Sequence, residues 1–198
     1  MLAGFAAVCA GEYAADEPIV DRSSILIDTV RRGDLIRKVD GYGKLRRAGA
    51  GIEAVVEIPA AKAQEIRPGQ PVLIDSREGL LHGAVASVGD VRDQERPIIV
   101  KVDAGSMALS EGERVASSIQ VDEIKSVLMV GRTGLVTAER TVALYKVDVS
   151  KEYADRVEIR TGKMNDRQVE IRSGLAEGDK VIITPANVPQ DTPRIRLK

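Results

Sequence analysis

Residues 52–121 decide the fold of this chain. They read IEAVVEIPAAKAQEIRPGQPVLID (52–75), SREGLLHGAVASVGD (76–90), RPIIVKVDAG (96–105) and LSEGERVASSIQV (109–121). In each piece apolar and polar residues alternate at the two-residue period of a half-buried strand, and Gly, Pro or Asp ends the run. Residues 60–66 instead have the apolar spacing of a short helix. Short strands with one helical patch between them predict a small closed or nearly closed antiparallel β-barrel.

The composition supports a mainly β chain with one or two domains. Of the 198 residues, 43% are hydrophobic but only 3% are aromatic, so the core must consist of Val, Ile, Leu and Ala. The abundance of β-branched residues favours strands over helices. The formal net charge is −1, with 29 basic and 30 acidic residues. A balanced charge and few stacking aromatics argue against a nucleic-acid partner.

A second antiparallel sheet is predicted after the barrel, because turns recur about every ten residues there. Upstream of the barrel, residues 25–40 suggest a hairpin that joins this sheet, with Arg31, Arg32, Gly33 and Asp34 as its turn. We therefore predict a mainly β fold: a small antiparallel β-barrel domain, a second antiparallel β-sheet domain and one short helix.

The domain boundaries follow from these elements. Three prolines among the last 14 residues predict an extended or disordered tail. At the other end, Cys9 follows Ala6-Ala7-Val8, which fits a lipoprotein cleavage site poorly, and the apolar run is too short to span a bilayer. The predicted units are an apolar anchor remnant and linker (1–19), the first hairpin of the sheet domain (20–48), the barrel (49–122), the remaining sheet strands (123–186) and a flexible tail (187–198).

One turn pattern, apolar-x-x-Gly-x-x-Val, recurs at residues 66–72, 109–115 and 175–181. An apolar residue anchors a loop, the glycine adopts a left-handed conformation, and the chain re-enters a sheet at the valine. Structural turn roles are predicted for five glycines: Gly33, Gly69, Gly83, Gly112 and Gly178.

The sequence lacks the residue combinations on which most catalysis depends. His82 is the single histidine and Cys9 the single cysteine, which leaves no usual set of zinc or copper ligands. No context around His82 suggests a catalytic base, and no phosphate-binding glycine loop is present. Carboxylate pairs such as Asp122 and Glu123 lie in polar runs typical of solvent-facing segments. We predict no enzymatic activity, no cofactor and no metal site.

Two stretches resemble the periplasmic adaptor family, the membrane fusion proteins of bacterial efflux pumps and exporters. In residues 20–45, the resemblance rests on VDRS (20–23), IDTVRRGD (27–34) and the Gly41-x-Gly43-x-Leu45 exit. In residues 55–185, it rests on EIP (57–59), GQPV (69–72), Gly83-x-Val85 and GLAEGDKVI (174–182). The first stretch is similar to the first membrane-proximal strands of such adaptors, and the second to their β-barrel and closing membrane-proximal strands.

The sequence departs from the family between these stretches. Adaptors place a lipoyl-like domain and a long α-helical hairpin there, whereas this chain has only the short connector LRRAGAG (45–51). Because the hairpin tips meet an outer-membrane channel or a partner adaptor in the family, the missing hairpin argues against that contact.

The resemblance implies a shortened adaptor on the periplasmic side of the inner membrane. It would dock on an inner-membrane transporter, either ABC-type or proton-driven, and could assemble into a homo-oligomeric ring. Arg31, Arg32 and Asp34 are the candidate transporter contacts, with a solvated turn as the alternative interpretation.

Other functions stay open at this stage. A free-standing β-barrel module could bind a small ligand or peptide in its mouth, and an apolar cavity near Leu80, Leu81 and Val85 would favour it. An enzyme with an unrecognised carboxylate site ranks behind both, and a decayed gene product without a current role is a further alternative.

Overall fold

The computed structural model describes residues 17–49, 51–105, 109–189 and 191–198. The predicted anchor remnant and Cys9 therefore lie outside the described residues. The predicted mainly β class is confirmed: 61% of the described residues are in strands and 3% are helical. Among the described residues, the helical ones form two 3-10 turns, Arg22–Ser24 and Ala63–Glu65.

Thirteen strands make up the fold of the described residues. Four of them, β4 to β7, match the strands predicted within residues 52–103, because each of these runs alternates up to the turn residue that ends it. The strands are β1 (Ile19–Val20), β2 (Ile27–Thr29), β3 (Arg31–Ala48), β4 (Gly51–Pro59), β5 (Pro71–Ser76), β6 (Gly79–Val88), β7 (Glu95–Asp103), β8 (Arg114–Gly131), β9 (Thr141–Val147), β10 (Tyr153–Met164), β11 (Gln168–Ser173), β12 (Lys180–Ile182) and β13 (Arg194–Leu197).

Six strands pair in a closed antiparallel cycle. The order β8-β3-β4-β7-β6-β5 returns to its start because β5 also pairs with β8. Side chains that point inward form one apolar cluster, which includes the fully buried Ile58, Ile74, Ile98 and Ile119. Burying each such side chain contributes about 1.5–3 kcal/mol, so this cluster is the main stabilising core of the cycle.

The helical patch between β4 and β5 covers one end of that core. Its 3-10 turn at Ala63–Glu65 is shorter than residues 60–66 suggested, but Ala63 and Ile66 are both buried in the same cluster. A 3-10 turn suffices because two apolar anchors three residues apart already lie on one side of it.

The second group of strands has its own core. Strands β2, β12, β9, β10 and β11 pair in that order, and β11 continues onto β8. Their main cluster includes Val30, Leu144, Ile159 and Val169. A smaller cluster, with Ile182 and Ile195 among its members, lies where β1 and β13 pair with each other and β13 pairs with β10.

The predicted hairpin at residues 25–40 is wrong. Residues 31–48 form one continuous strand, β3, and β2 pairs with β12 instead of β3. The break lies at Val30, whose N–H donates to the Asp179 carbonyl at 2.8 Å. Gly33 lies inside β3, where an added Cβ would meet only the flexible end of the Met129 side chain, at 3.2 Å.

The flexible tail predicted for residues 187–198 is also wrong. Strand β13 pairs in parallel with β1 and antiparallel with β10, and Ile195 is fully buried. The three prolines precede or flank this strand and do not interrupt it. Alternation of Ile195 and Leu197 with Arg194 and Arg196 was the signal that the proline content obscured.

The predicted boundary between residues 122 and 123 falls within β8. Both β3 and β8 are 18 residues long and contribute to the closed cycle with one end and to the second sheet with the other. The assignment of separate domains stays a prediction. What the structure shows is that two continuous strands connect the two main cores.

No helix in the described part of the chain is long and apolar enough to cross a membrane.

Candidate functional site

The pairing of β3 with β8 is irregular where these strands pass from one core to the other. Register shifts occur between Gly33 and Leu35 and between Arg37 and Lys38 of β3, and each shift leaves one additional residue on β8. Such bulges bend a strand and redirect its side chains. We call this region, residues 34–38 of β3 and 120–127 of β8, the junction.

Side chains satisfy the backbone groups that the first bulge leaves unpaired. Ser126 has a positive φ of 54°, and its N–H donates to Asp34 Oδ1 at 2.9 Å. The Arg32 guanidinium donates to the Ser126 carbonyl at 2.8 Å. Two of the predicted transporter contacts therefore hold a bulge in place, which is a structural role.

Two side-chain amides from neighbouring loops also donate to backbone carbonyls of the junction. Gln70 Nε2 donates to the carbonyl of Val121, the additional residue of the second bulge, at 3.2 Å. Asn165 Nδ2 donates to the Ile36 carbonyl at 3.0 Å. Loops from both sides of the molecule thus reach the junction, one before β5 and one between β10 and β11.

Replacing Asp34 by alanine is expected to lower the free energy of unfolding by about 1–2 kcal/mol, because the Ser126 N–H loses its acceptor in a folded strand. Urea denaturation of the purified protein measures this change. Asp40→Ala is the matched control, since Asp40 accepts only a side-chain bond from Ser118 on the exposed face. Equal losses in the two variants would contradict the bulge-holding role.

A group of four charged side chains crosses the junction. Arg37 donates to both carboxylate oxygens of Glu65, at 2.6 and 2.9 Å, and lies 3.5 Å from Asp122. Lys163 Nζ donates to Asp122 Oδ2 at 2.6 Å. These residues belong to β3, the 3-10 turn, β8 and β10, so the group ties the closed cycle to the second sheet. A polar depression of about 320 Å³ beside it is lined in part by Arg37, Glu65 and Asp166.

The ion pairs stabilise the charged forms of both carboxyl groups. The hydrogen bond from Lys163 is the main factor that lowers the pKa of Asp122 below its ordinary value of 3.8. The hydrogen bonds from Arg37 likewise lower the pKa of Glu65 below 4.5. Both carboxyl groups have a lower pKa in the folded protein than in the unfolded chain. Their ionic contribution to stability is therefore complete above the unfolded pKa values and is lost as pH falls through the folded pKa values.

Asp122→Asn is expected to lower the free energy of unfolding by about 0.5–1 kcal/mol at neutral pH, since the pairs are partly exposed. The difference between the wild type and this variant should shrink as pH falls from 3.8 through the lower folded pKa of Asp122, because the carboxylate is protonated over that range. Denaturation curves across this pH range measure the effect. A difference that stays constant with pH would contradict the ionic contribution.

The glycines of the recurring turn pattern share one geometry. Gly69, Gly112 and Gly178 have φ values of 89°, 81° and 89°. Each donates its N–H to a carbonyl of a neighbouring segment, respectively Val85, Leu45 and Val30, at 2.8–2.9 Å. Gly83 differs, because it lies inside β6, where an added Cβ would meet the Lys101 carbonyl oxygen at 2.6 Å. The turn role predicted for Gly83, like that of Gly33, is wrong.

The remaining predicted positions show no arrangement for catalysis. His82 is an exposed residue of β6, and no group of three or more potential metal ligands occurs among the described residues. Leu81 and Val85 are 2% and 3% exposed and pack in the core of the closed cycle, whereas Leu80 points outward. The site proposed for a ligand in a barrel mouth is thus filled by protein side chains at Leu81 and Val85.

Comparisons with known proteins identify the fold. No family model matches the sequence, and no curated protein matches it. The structure is similar to that of MacA from Actinobacillus actinomycetemcomitans, with a TM-score of 0.55 and 22% identity over 69% of this chain. The chain spans 43% of that MacA chain. This likeness extends to the fold alone.

Two further solved structures superpose too loosely to bear on the fold. ZneB from Cupriavidus metallidurans gives a TM-score of 0.36, with 15% identity over 72% of this chain and 43% of that chain. A MacA-MexA chimeric protein with the Pseudomonas aeruginosa MexA α-hairpin domain gives 0.48, with 22% identity over 67% of this chain and 45% of that chain.

Sequence reasoning missed the junction as a site. Its charged members are far apart along the chain, and Asp122 was read as part of a solvent-facing run, although only 26% of its side chain is exposed. The available signal was the polar interruption of the β8 pattern near residues 120–126, which marks where the strand changes partners.

Proposed function

We propose that this chain is a periplasmic adaptor subunit of a transmembrane efflux or export system and that it docks on an inner-membrane transporter. The observation that carries the proposal is the fold likeness to MacA, a membrane fusion protein, over 69% of the chain. The sequence resemblance in residues 20–45 and 55–185 supports the same proposal independently of the fold. On this proposal the chain is not an enzyme and needs no cofactor.

We propose further that this is a shortened adaptor without the lipoyl domain and the hairpin. Supporting this form, the β3–β4 pairing continues to Ala48 and Gly51, so two residues connect the strands where the family has its insertion. On this proposal the outer-membrane channel is not a direct partner. The chain acts at the periplasmic face of the inner membrane, where copies could surround the transporter as a ring.

The proposed mechanism is mechanical. Because β3 and β8 are continuous through both cores, a displacement at one end is carried to the other by covalent backbone and paired hydrogen bonds. The junction prevents the bulges from absorbing that displacement, since its backbone groups are held by Asp34, Gln70 and Asn165. A transporter bound near one end of β3 would thus influence the closed cycle at the other end.

Arg31 is the best placed of the three predicted contact residues. It is exposed at the start of β3 and has no ion pair among the described residues, whereas Arg32 pairs with Glu177 at 3.3 Å. Asp34 is engaged with Ser126. Of the three, Arg31 can therefore contact a partner without breaking an intramolecular interaction.

Co-purification from native membranes tests the proposal. A C-terminally tagged full chain, extracted in mild detergent, is expected to recover an inner-membrane transporter identified by mass spectrometry. Arg31→Glu should reduce the recovery about tenfold, which corresponds to about 1.4 kcal/mol of binding energy. Arg47→Glu, at an exposed position near the other end of β3, is the matched control and should leave recovery unchanged. Recovery of soluble proteins alone would overturn the adaptor proposal.

The ligand-binding module is the alternative proposal. No observation in the described residues places an apolar cavity at Leu81 or Val85, where that module would have needed one.

A further inference from the structure

The outer face of the closed cycle carries an open groove that the proposed docking at Arg31 does not use. It crosses strands β4, β3 and β8 and has a volume of about 660 Å³. Its lining is a mixture of apolar and charged side chains from all three strands: Tyr42, Lys44, Val55, Glu57, Arg114 and Ala116.

Two cations lie side by side in this groove, and neither has a carboxylate partner among the described residues. Lys44 and Arg114 are directly opposite in the β3–β8 register, and both are exposed. Neither forms an ion pair with an acidic side chain in the part of the chain that the structure describes. By contrast, the next cation on the same face of β3, Arg46, pairs with Glu53 at 2.9 Å. Like charges directly opposite on paired strands are unfavourable unless an anion neutralises them.

An exposed aromatic ring stands beside the two cations. Tyr42 is 78% exposed, although large apolar side chains elsewhere on the closed cycle mostly point inward. It is paired in register with Ala116 on β8, and Val55 is paired with Lys44. Small and partly buried residues thus form a floor beside the tyrosine ring and the cations. A side chain of a partner could lie on that floor and bury apolar surface against Tyr42.

We propose that this groove binds an extended acidic segment of a partner protein. Its carboxylates would pair with Lys44 and Arg114, and a neighbouring apolar side chain would pack on Tyr42 and Val55. Charge complementarity is the basis for this choice of partner, because the segment removes the repulsion that the unbound protein retains. The inference does not depend on the adaptor proposal.

A peptide fits the groove better than an anionic membrane does. Glu57 lies on β4, opposite Tyr42, whereas Arg114 lies on β8 on the other side of β3. The basic patch therefore ends at a carboxylate on the β4 side. Two cations beside an apolar floor match an extended segment in which an acidic and an apolar side chain are separated by one residue, since residues i and i+2 of an extended chain lie on the same side. A lipid surface would favour a broader basic patch.

Binding of short labelled peptides to the purified full chain tests the proposal by fluorescence anisotropy. A peptide that has glutamate and leucine in turn at every second position, with serine between them, presents both side chains on one face and is expected to bind. Its counterpart with lysine in place of glutamate is not. The double variant Lys44→Glu/Arg114→Glu should weaken binding of the acidic peptide at least about tenfold and should acquire binding of the basic one. Tyr42→Ala should weaken binding of the acidic peptide, and the variant should still prefer the acidic peptide to the basic one.

The controls separate recognition from folding and from membrane attraction. Arg47→Glu changes an exposed cation near the β3–β4 turn and should leave peptide binding unchanged. Denaturation midpoints should be similar for all variants, because the changed side chains are exposed. Unchanged acidic-peptide binding in the double variant would overturn the proposal. Binding to phosphatidylglycerol vesicles but not to the peptide would overturn it in favour of a lipid surface.

This assay contains no transporter. Its failure would leave the adaptor proposal intact, and failure to recover a transporter from membranes would leave the peptide site intact.

Discussion

Gly43→Ala is expected to lower the free energy of unfolding by about 3 kcal/mol or more. Gly43 lies in β3 between β4 and β8, where an added Cβ would approach the Val56 Cα to 2.8 Å and the Val55 carbonyl still more closely. Because the contacts are with backbone, no change of side-chain rotamer can relieve them. Either the β3–β4 pairing must open or β3 must shift. Guanidinium denaturation followed by circular dichroism measures the loss.

Gly51→Ala is the matched control for this variant. Gly51 starts β4 in the same strand pair, but an added Cβ there would lie 3.8 Å from the nearest carbonyl oxygen, that of Ala48. The φ of Gly51 is not positive, so alanine fits its backbone. We expect a change within about 0.5 kcal/mol. Comparable losses in both variants would show that backbone crowding at Gly43 is not the cause.

Ile195→Ala is expected to cost about 2–5 kcal/mol, the range for removing a large aliphatic side chain from a core. Ile195 is fully buried in the cluster that β13 forms with β1 and β10. This prediction separates the observed structure from the flexible tail that the proline content suggested, because a residue in a disordered tail could be truncated without loss. Thermal and chemical denaturation both report the change.

The exposed neighbour Arg196 provides the control for Ile195. Its side chain lies over the Tyr153 ring at 6.0 Å, at the limit of a cation–π contact. Arg196→Ala should therefore cost less than about 1 kcal/mol. If Ile195→Ala were equally mild, the pairing of β13 in the structure would be contradicted.

Local patterning was sufficient to predict the strands of the closed cycle. The separate runs within residues 52–103 each alternate, and those that end at Pro59 and Asp103 correspond to the ends of β4 and β7. Periodicity succeeds there because each strand has one face buried in a core and one in solvent. The mainly β class followed from the same signal.

Long strands that change partners were not predictable from local signals. The Arg-Arg-Gly-Asp run has the composition of a turn, yet it continues β3, and the chain bends instead at the buried Val30. Glycine and aspartate are also the residues that tolerate a bulge or anchor one, so composition alone could not distinguish the two. The pairing partner of β2, which is β12, lies about 150 residues away and leaves no local trace.

The candidate site was missed for a similar reason. Arg37, Glu65, Asp122 and Lys163 come from four distant segments, and each alone resembles a solvated surface residue. Their meeting depends on two bulges whose positions are fixed by tertiary pairing. Of the predicted contact residues, Arg32 and Asp34 both hold the bulge at Ser126.

Site-specific photo-crosslinking in intact cells tests the adaptor proposal most directly. A photoreactive amino acid replaces Arg31, which is exposed at the start of β3, and separately Arg47, near the opposite end of that strand. The proposal predicts a crosslink from position 31 to an inner-membrane transporter and a much weaker one from position 47. Crosslinks from position 31 to soluble proteins alone, with the protein folded and present at normal levels, would contradict it.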